Sequence, residues 1–279
     1  MWTVALPSIE AEPTFAMCIS RIRNPELKRK LESVRQNIAY AEKEYIEAAQ
    51  SAQLNIIVPL DNVAGIVTNG DMESVYTNRM VKASSPGRPI YDALISAAPH
   101  GRCPFCGHRT VSTLDHLLPK SLYSSLTVTP VNLIPSCSDC NKAKSDKRPY
   151  LQGDVPLHPY FDNIENDRWL FAEVVEERPV NLRFYFQTPS AWDHLKTARA
   201  KNQFDSLQLD VLYRSQSAEE LQNIRYQLNK IFDVAGKDAV HEHLKDAAIS
   251  RASARLNSWQ TATYEALANS EWFCREGFL

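Results

Sequence analysis

Two Cys-x-x-Cys pairs, Cys103/Cys106 and Cys137/Cys140, stand 30 residues apart and enclose an Asp-His step, Asp115-His116. Two such knuckles supply four thiolates, the number that closes a tetrahedral shell around one Zn²⁺. A shell of four protein ligands leaves no position for water or substrate, so a zinc held there is structural. Any chemistry must come from the residues between and beside the knuckles. An Asp-His step alone carries little information, and two Cys-x-x-Cys pairs alone make a zinc ribbon. A ribbon does not, however, require Asp115-His116, Asn132 and Asn141 at these places.

Local elements have to bring these side chains together. Residues 111–114, β-branched and apolar, predict a short strand ending at Asp115-His116, and residues 131–134 predict a second. From Ser138 the chain reads as a helix start, with Ser136 or Ser138 as cap and no breaker before Pro149. Two strands followed by a helix would gather His116 from a strand end, Asn132 from the other strand and Asn141 from the helix.

The order Cys-x-x-Cys, Asp-His-x-x-Pro-Lys-Ser, then Asn-Leu-x-Pro-x-Cys-x-x-Cys-Asn-x-x-Lys resembles the HNH endonuclease family, whose catalytic unit is a ββα-metal finger. The likeness covers about a sixth of the chain. It implies His116 as the general base toward water, Asp115 as a ligand of a catalytic divalent metal, and Asn132 as a brace for the loop carrying the histidine. Asn141 stands where the family's final His would be, an H-N-N variant. A carboxylate plus a neutral amide oxygen favours Mg²⁺ or Mn²⁺ over a second Zn²⁺. Lys144, Lys120 and Lys142 are candidate contacts to a nucleic-acid backbone. Duplex DNA is the implied substrate, with RNA and single strands left open. The resemblance also implies a bacterial restriction or anti-phage defence effector working beside a partner such as an ATPase. The other reading is a zinc-ribbon nucleic-acid-binding or partner-docking protein without catalysis.

The implied chemistry is physically coherent. Hydrolysing an anionic phosphodiester needs a base of near-neutral pKa, positive charge on a non-bridging oxygen and stabilisation of the leaving alkoxide. An ordinary histidine, near ~6.5, meets the first need. One divalent cation meets the others.

The whole chain sets limits. Its 279 residues, 44% hydrophobic, with 8 Gly and 16 Pro, exclude a disordered or low-complexity protein. The formal charge of −2 excludes a DNA-coating protein, yet residues 100–150 carry seven basic against three acidic side chains. The basic excess falls on the knuckle region, where zinc-bound thiolates would cancel part of it. Residues 1–7 lack a basic segment followed by an apolar run, and the most apolar stretch, 54–67, is broken by Pro59 and Asp61. A soluble, cytoplasmic protein is expected, with Cys18 and Cys274 as reduced core residues.

The fold class expected is α+β, mostly α-helical, in three parts: an N-terminal helical region 1–85, a zinc-stapled core 86–165, and a β-hairpin plus helical region 166–279. Asn24-Pro25 opens a long helix over 25–54. Its seam of Leu27, Leu31, Val34, Ile38, Ala41, Tyr45, Ala48 and Ala52 suits either the chain's own C-terminal helices or a coiled-coil homodimer. Residues 82–89 read as a linker and 90–98 as a helix. The segment 157–162 resembles one that trails HNH cores; packing is the expected role of His158, with nearness to the active centre as the alternative. Residues 169–176 and 180–186 predict a hairpin around Pro179 that extends or covers the finger's sheet. Helices then follow from Trp192, from a capping box at Ser217-x-x-Glu220 to Gly236, over 237–258, and around Tyr264.

Overall fold

Asn24 caps a helix as its spacing to Pro25 predicts, accepting from the Glu26 and Leu27 amides at 3.0 and 3.1 Å. The computed structural model describes all 279 residues and divides them into two units, 1–163 and 164–279. It is α+β, mostly helical, with three small antiparallel sheets of two strands each.

The first unit begins with α1 (Ala11–Ile19), α2 (Pro25–Ser33) and α3 (Arg35–Gln50). The single helix expected over 25–54 is therefore two, because Val34 leaves helical geometry at φ −104°, ψ 7°. The apolar seam crosses that break. Leu31, Val34, Ile38 and Tyr45 are fully buried inside this unit, in part against α1, so the seam does not present a free surface for a second copy.

Next come the short hairpin β1 (Asn62–Val63) and β2 (Val67–Thr68), then α4 (Asn69–Tyr76). A reciprocal cap starts α4: the Thr68 hydroxyl accepts from the Asp71 amide, and the Asp71 carboxylate accepts from the Thr68 amide. α5 (Arg88–Ser96) leads into β3 (Thr113–His116), β4 (Leu133–Ser136) and α6 (Ser138–Lys144). Both strands lie about two residues later than their apolar runs predict.

One apolar core joins these elements. Phe15, Ile19, Leu31 and Ile38 from the first helices pack in the same cluster as Leu114 and Leu133 from the two strands. Each such side chain contributes roughly 1.5–3 kcal/mol of burial. The boundary expected near 85 falls within this unit, and the expected linker is a packed turn. A Cβ on Gly87 would come 2.6 Å from Cys18 Sγ and 2.8 Å from the Arg79 carbonyl.

The second unit holds β5 (Leu170–Val175) and β6 (Asn181–Phe186), paired from Leu170 with Phe186 to Val175 with Asn181. This hairpin is a separate sheet packed on helices of its own unit, not an extension of β3 and β4. α7 (His194–Ser206) is capped by Asp193, and α9 (Trp259–Asn269) by Ser258. Between them α8 (Leu209–Ala254) breaks at Gly236, at φ 75° and ψ −169°. Glu220 and Arg251 lie 3.8 Å apart, whereas a straight helix would separate them by about 46 Å at ~1.5 Å per residue. α8 is thus two arms folded back at Gly236. Ser217 is no cap: it is buried within the first arm and donates to the Arg214 carbonyl. No helix of the chain is long and apolar enough to cross a membrane.

Candidate metal and catalytic site

The four cysteines converge. Cys103 and Cys106 lie on the turn after α5, Cys137 directly precedes α6, and Cys140 lies within its first turn. All four are buried, and their Sγ atoms lie within 4.8 Å of one another. Zn–S bonds of about 2.3 Å in a tetrahedron need sulfurs about 3.8 Å apart, so the set fits a four-cysteine zinc site. The cap of α6 is Cys137 itself, whose sulfur accepts from the Cys140 amide at 3.4 Å, and neither Ser136 nor Ser138. A hydrogen bond from Cys103 brings the Cys106 thiol down to about 7, while bonds to the other three thiols push Cys140 up. One proton pool shared by crowded thiols is the state that a cation displaces. Gly107 turns the first knuckle at φ +63°, and a Cβ there would meet the Trp2 indole at 2.9 Å. The Trp2 amide donates to the Pro104 carbonyl at 2.8 Å, so the N-terminus straps this knuckle.

Asp115 and His116 end β3, paired with Ile134 and Leu133 of β4. Both side chains are buried. His116 Nε2 lies 2.8 Å from the Thr127 carbonyl. A carbonyl can only accept, so Nε2 carries the proton and Nδ1 keeps its lone pair. No group of the fold engages Nδ1. Tyr76 of α4 packs edge-on against the ring, with centroids 4.6 Å apart. Burial pushes His116 down to about 3, so the ring is neutral at pH 7 with its Nδ1 lone pair available, but it is a weaker base than the ordinary histidine expected from the sequence.

Asp115 Oδ2 is buried without a hydrogen-bond partner, whereas Oδ1 lies 3.4 Å from Lys144 Nζ. Burial raises this carboxyl to about 6 although Lys144 opposes the rise. An orphaned carboxylate oxygen is the kind of atom that a hard cation satisfies. Asn132 is wholly buried: its Oδ1 accepts from the Leu118 amide at 2.8 Å, and its Nδ2 donates to the Leu118 and Leu126 carbonyls. The loop after His116 is thereby tied to the turn that supplies Thr127.

Residues 103–147 match the HNH endonuclease family model. The chain is also 29% identical to Protein ea31 of Escherichia phage lambda over 232 residues, 78% of each chain. No solved structure matches it.

Within the HNH domain the remaining candidates divide. Asn141 sits on α6, half-buried, its amide on the Cys137 carbonyl at 3.1 Å. Lys142 is exposed on the same helix. Lys120 is engaged elsewhere, 2.8 Å from Glu73 of α4. Lys144 turns inward, donating to the His116 carbonyl at 2.8 Å and the Leu117 carbonyl at 3.3 Å, rather than outward to a backbone phosphate.

His158 is buried. Its Nδ1 accepts from the Tyr160 amide at 3.2 Å, so Nε2 carries the proton toward Tyr45 Oη of α3 at 3.1 Å, while Tyr160 Oη donates to the Leu133 carbonyl. It ties α3 and the 157–162 segment to the back of β4. Thr127, Tyr76 and Tyr45 escape sequence reasoning: the first acts through its backbone carbonyl, and the tyrosines sit on helices far upstream with no spacing that links them to His116.

Proposed function

We propose that the chain is a metal-dependent endonuclease that hydrolyses phosphodiester bonds of duplex DNA. The observation that carries this reading is the pairing, on consecutive residues, of a neutral imidazole with an unengaged Nδ1 and a buried carboxylate with an orphaned Oδ2. A structural ribbon has no use for either.

In this reading His116 takes the proton of the attacking water at Nδ1, while the Thr127 carbonyl holds the ring through Nε2 and helps to bear the imidazolium that forms. Tyr76 fixes the ring's tilt. Asn132 keeps the 117–126 loop, and with it the carbonyl, in register. Asp115 and Asn141 hold Mg²⁺ or Mn²⁺, which supplies Lewis-acid charge to the phosphate and the leaving oxygen. The four-cysteine site holds Zn²⁺ and contributes fold rather than chemistry. Lys142, exposed on α6, makes a salt-sensitive phosphate contact. A cytoplasmic location and control by a partner such as an ATPase belong to the same reading. The defence role rests on the family resemblance alone, and a relative from a phage adds no support to it.

Purified protein carrying one zinc per chain, incubated with supercoiled plasmid in Mg²⁺, Mn²⁺ or EDTA, tests the reading. Metal-dependent nicking or linearisation supports it. Intact plasmid under all three conditions, with folded and zinc-loaded protein, contradicts it.

A further inference from the structure

The two oxygens of Asp115 have different surroundings, and Lys144 makes the difference. An ammonium has three protons to donate. Around Lys144 Nζ stand three acceptors from the Asp115 to Leu117 turn, the His116 carbonyl at 2.8 Å, the Leu117 carbonyl at 3.3 Å and Asp115 Oδ1 at 3.4 Å, with the Ser145 carbonyl also at 3.4 Å. The lysine side chain is 13% exposed and that of Asp115 4%. A long flexible lysine placed for phosphate would keep its head in water. This one is drawn off the end of α6 into the β3 turn, leaving Oδ2 as the oxygen without a partner.

We propose that Lys144 is a positioning residue for the cation site. It pins Oδ1 and the two carbonyls, so that the carboxylate cannot rotate and Oδ2 is presented to the metal. This rests on the reading of Asp115 as a divalent-metal ligand. The arrangement is the outer-shell logic of metal centres, in which a hydrogen bond to the far oxygen of a ligating carboxylate fixes the near one and its loss lowers affinity roughly 10–100-fold. It also separates two effects of a buried positive charge. Lys144 repels a neighbouring cation, but without it Asp115 has no fixed orientation, and the α6 to β3 connection loses two hydrogen bonds and an ion pair.

The test is Mn²⁺ affinity, measured by the loss of the free-ion electron paramagnetic resonance signal, for wild type, Lys144→Met and Lys144→Arg. Zinc content is measured in parallel, and duplex affinity is measured in EDTA. The expected result is a roughly 10–100-fold weaker Mn²⁺ affinity in Lys144→Met with one zinc per chain and unchanged duplex affinity, partly recovered in Lys144→Arg, which keeps the charge. Unchanged or tighter Mn²⁺ binding in Lys144→Met overturns the proposal, the second result making Lys144 a plug. Weakened duplex binding with unchanged Mn²⁺ affinity overturns it in favour of a phosphate contact. Loss of zinc from both variants overturns it by making Lys144 a strut of the finger. Absence of Mn²⁺ binding to wild type would overturn the reading of Asp115 as well, and so distinguishes the two failures.

Discussion

The Thr127 carbonyl and the His116 imidazole are joined by a 2.8 Å hydrogen bond through Nε2. It determines which nitrogen can act as base, and the loop that supplies it is tied back to the histidine by Asn132.

Asn132→Ala should therefore loosen both ends of that loop at once. Three hydrogen bonds disappear, and the Leu118 amide and carbonyl and the Leu126 carbonyl lose these partners in the interior. At about 1 kcal/mol per bond, more where a group stays unsatisfied, the expected loss is about 3 kcal/mol in denaturant unfolding of the first unit. A loss under about 1 kcal/mol would mean that the loop is held by other contacts.

Lys120 and Lys142 should behave differently toward duplex DNA. Lys120 already faces Glu73 at 2.8 Å, and a half-exposed pair of this kind is worth about 0–1 kcal/mol. Lys120→Ala should change duplex affinity less than about threefold, whereas Lys142→Ala should weaken it and lower the salt slope by about one. Equal effects of the two substitutions, measured by fluorescence anisotropy across a salt series, would contradict this division.

Replacing one zinc ligand should remove the metal and the finger together. Cys140 supplies one of the four clustered thiols, and its amide donates to Cys137 Sγ. In Cys140→Ser, metal analysis should find far less than one zinc per chain, with loss of the 103–147 fold, because metal binding and folding are one equilibrium in such small sites. Hydrogen exchange should leave the 164–279 unit protected. Full zinc occupancy in Cys140→Ser would argue that the four thiols are not the ligand set.

Gly107→Ala tests the strap over the first knuckle. The new Cβ would need φ near +63° and would press on the Trp2 indole at 2.9 Å. Strain of about 1–3 kcal/mol is expected at the knuckle, read as a lower midpoint for zinc release under chelator competition. Trp2→Ala in the same background should return part of it. No shift in the midpoint would show that Trp2 yields without resistance.

Much of the metal chemistry is legible locally, because a knuckle's ligands are set by a two-residue gap and the Asp115-His116 step is one bond long. The β5 and β6 hairpin and the Gly236 break are legible for the same reason. What the sequence hides is set by distant partners. Lys120 and Lys144 look alike as solvated cations, yet one meets Glu73 of α4 and the other enters the β3 turn. The seam from Leu27 to Ala52 keeps its spacing across Val34, so periodicity reads one helix where the backbone makes two. Ser217-x-x-Glu220 has the composition of a cap but lies mid-helix, where Glu220 instead accepts from Tyr264 Oη at 2.7 Å. The turn-rich stretch 82–89 has the composition of a linker, yet it is packed where Gly87 admits Cys18.

The role of His116 as the base of a hydrolytic centre is tested by single-turnover cleavage of a duplex by wild type and by His116→Ala at equal zinc content and saturating Mn²⁺. A general base contributes typically 10²–10⁴-fold, so the variant's rate should fall by at least about 100-fold while Mn²⁺ and duplex affinities stay within a few-fold of wild type. A variant that cuts at the wild-type rate would contradict the account, leaving His116 as a buried core histidine and the chemistry to some other group.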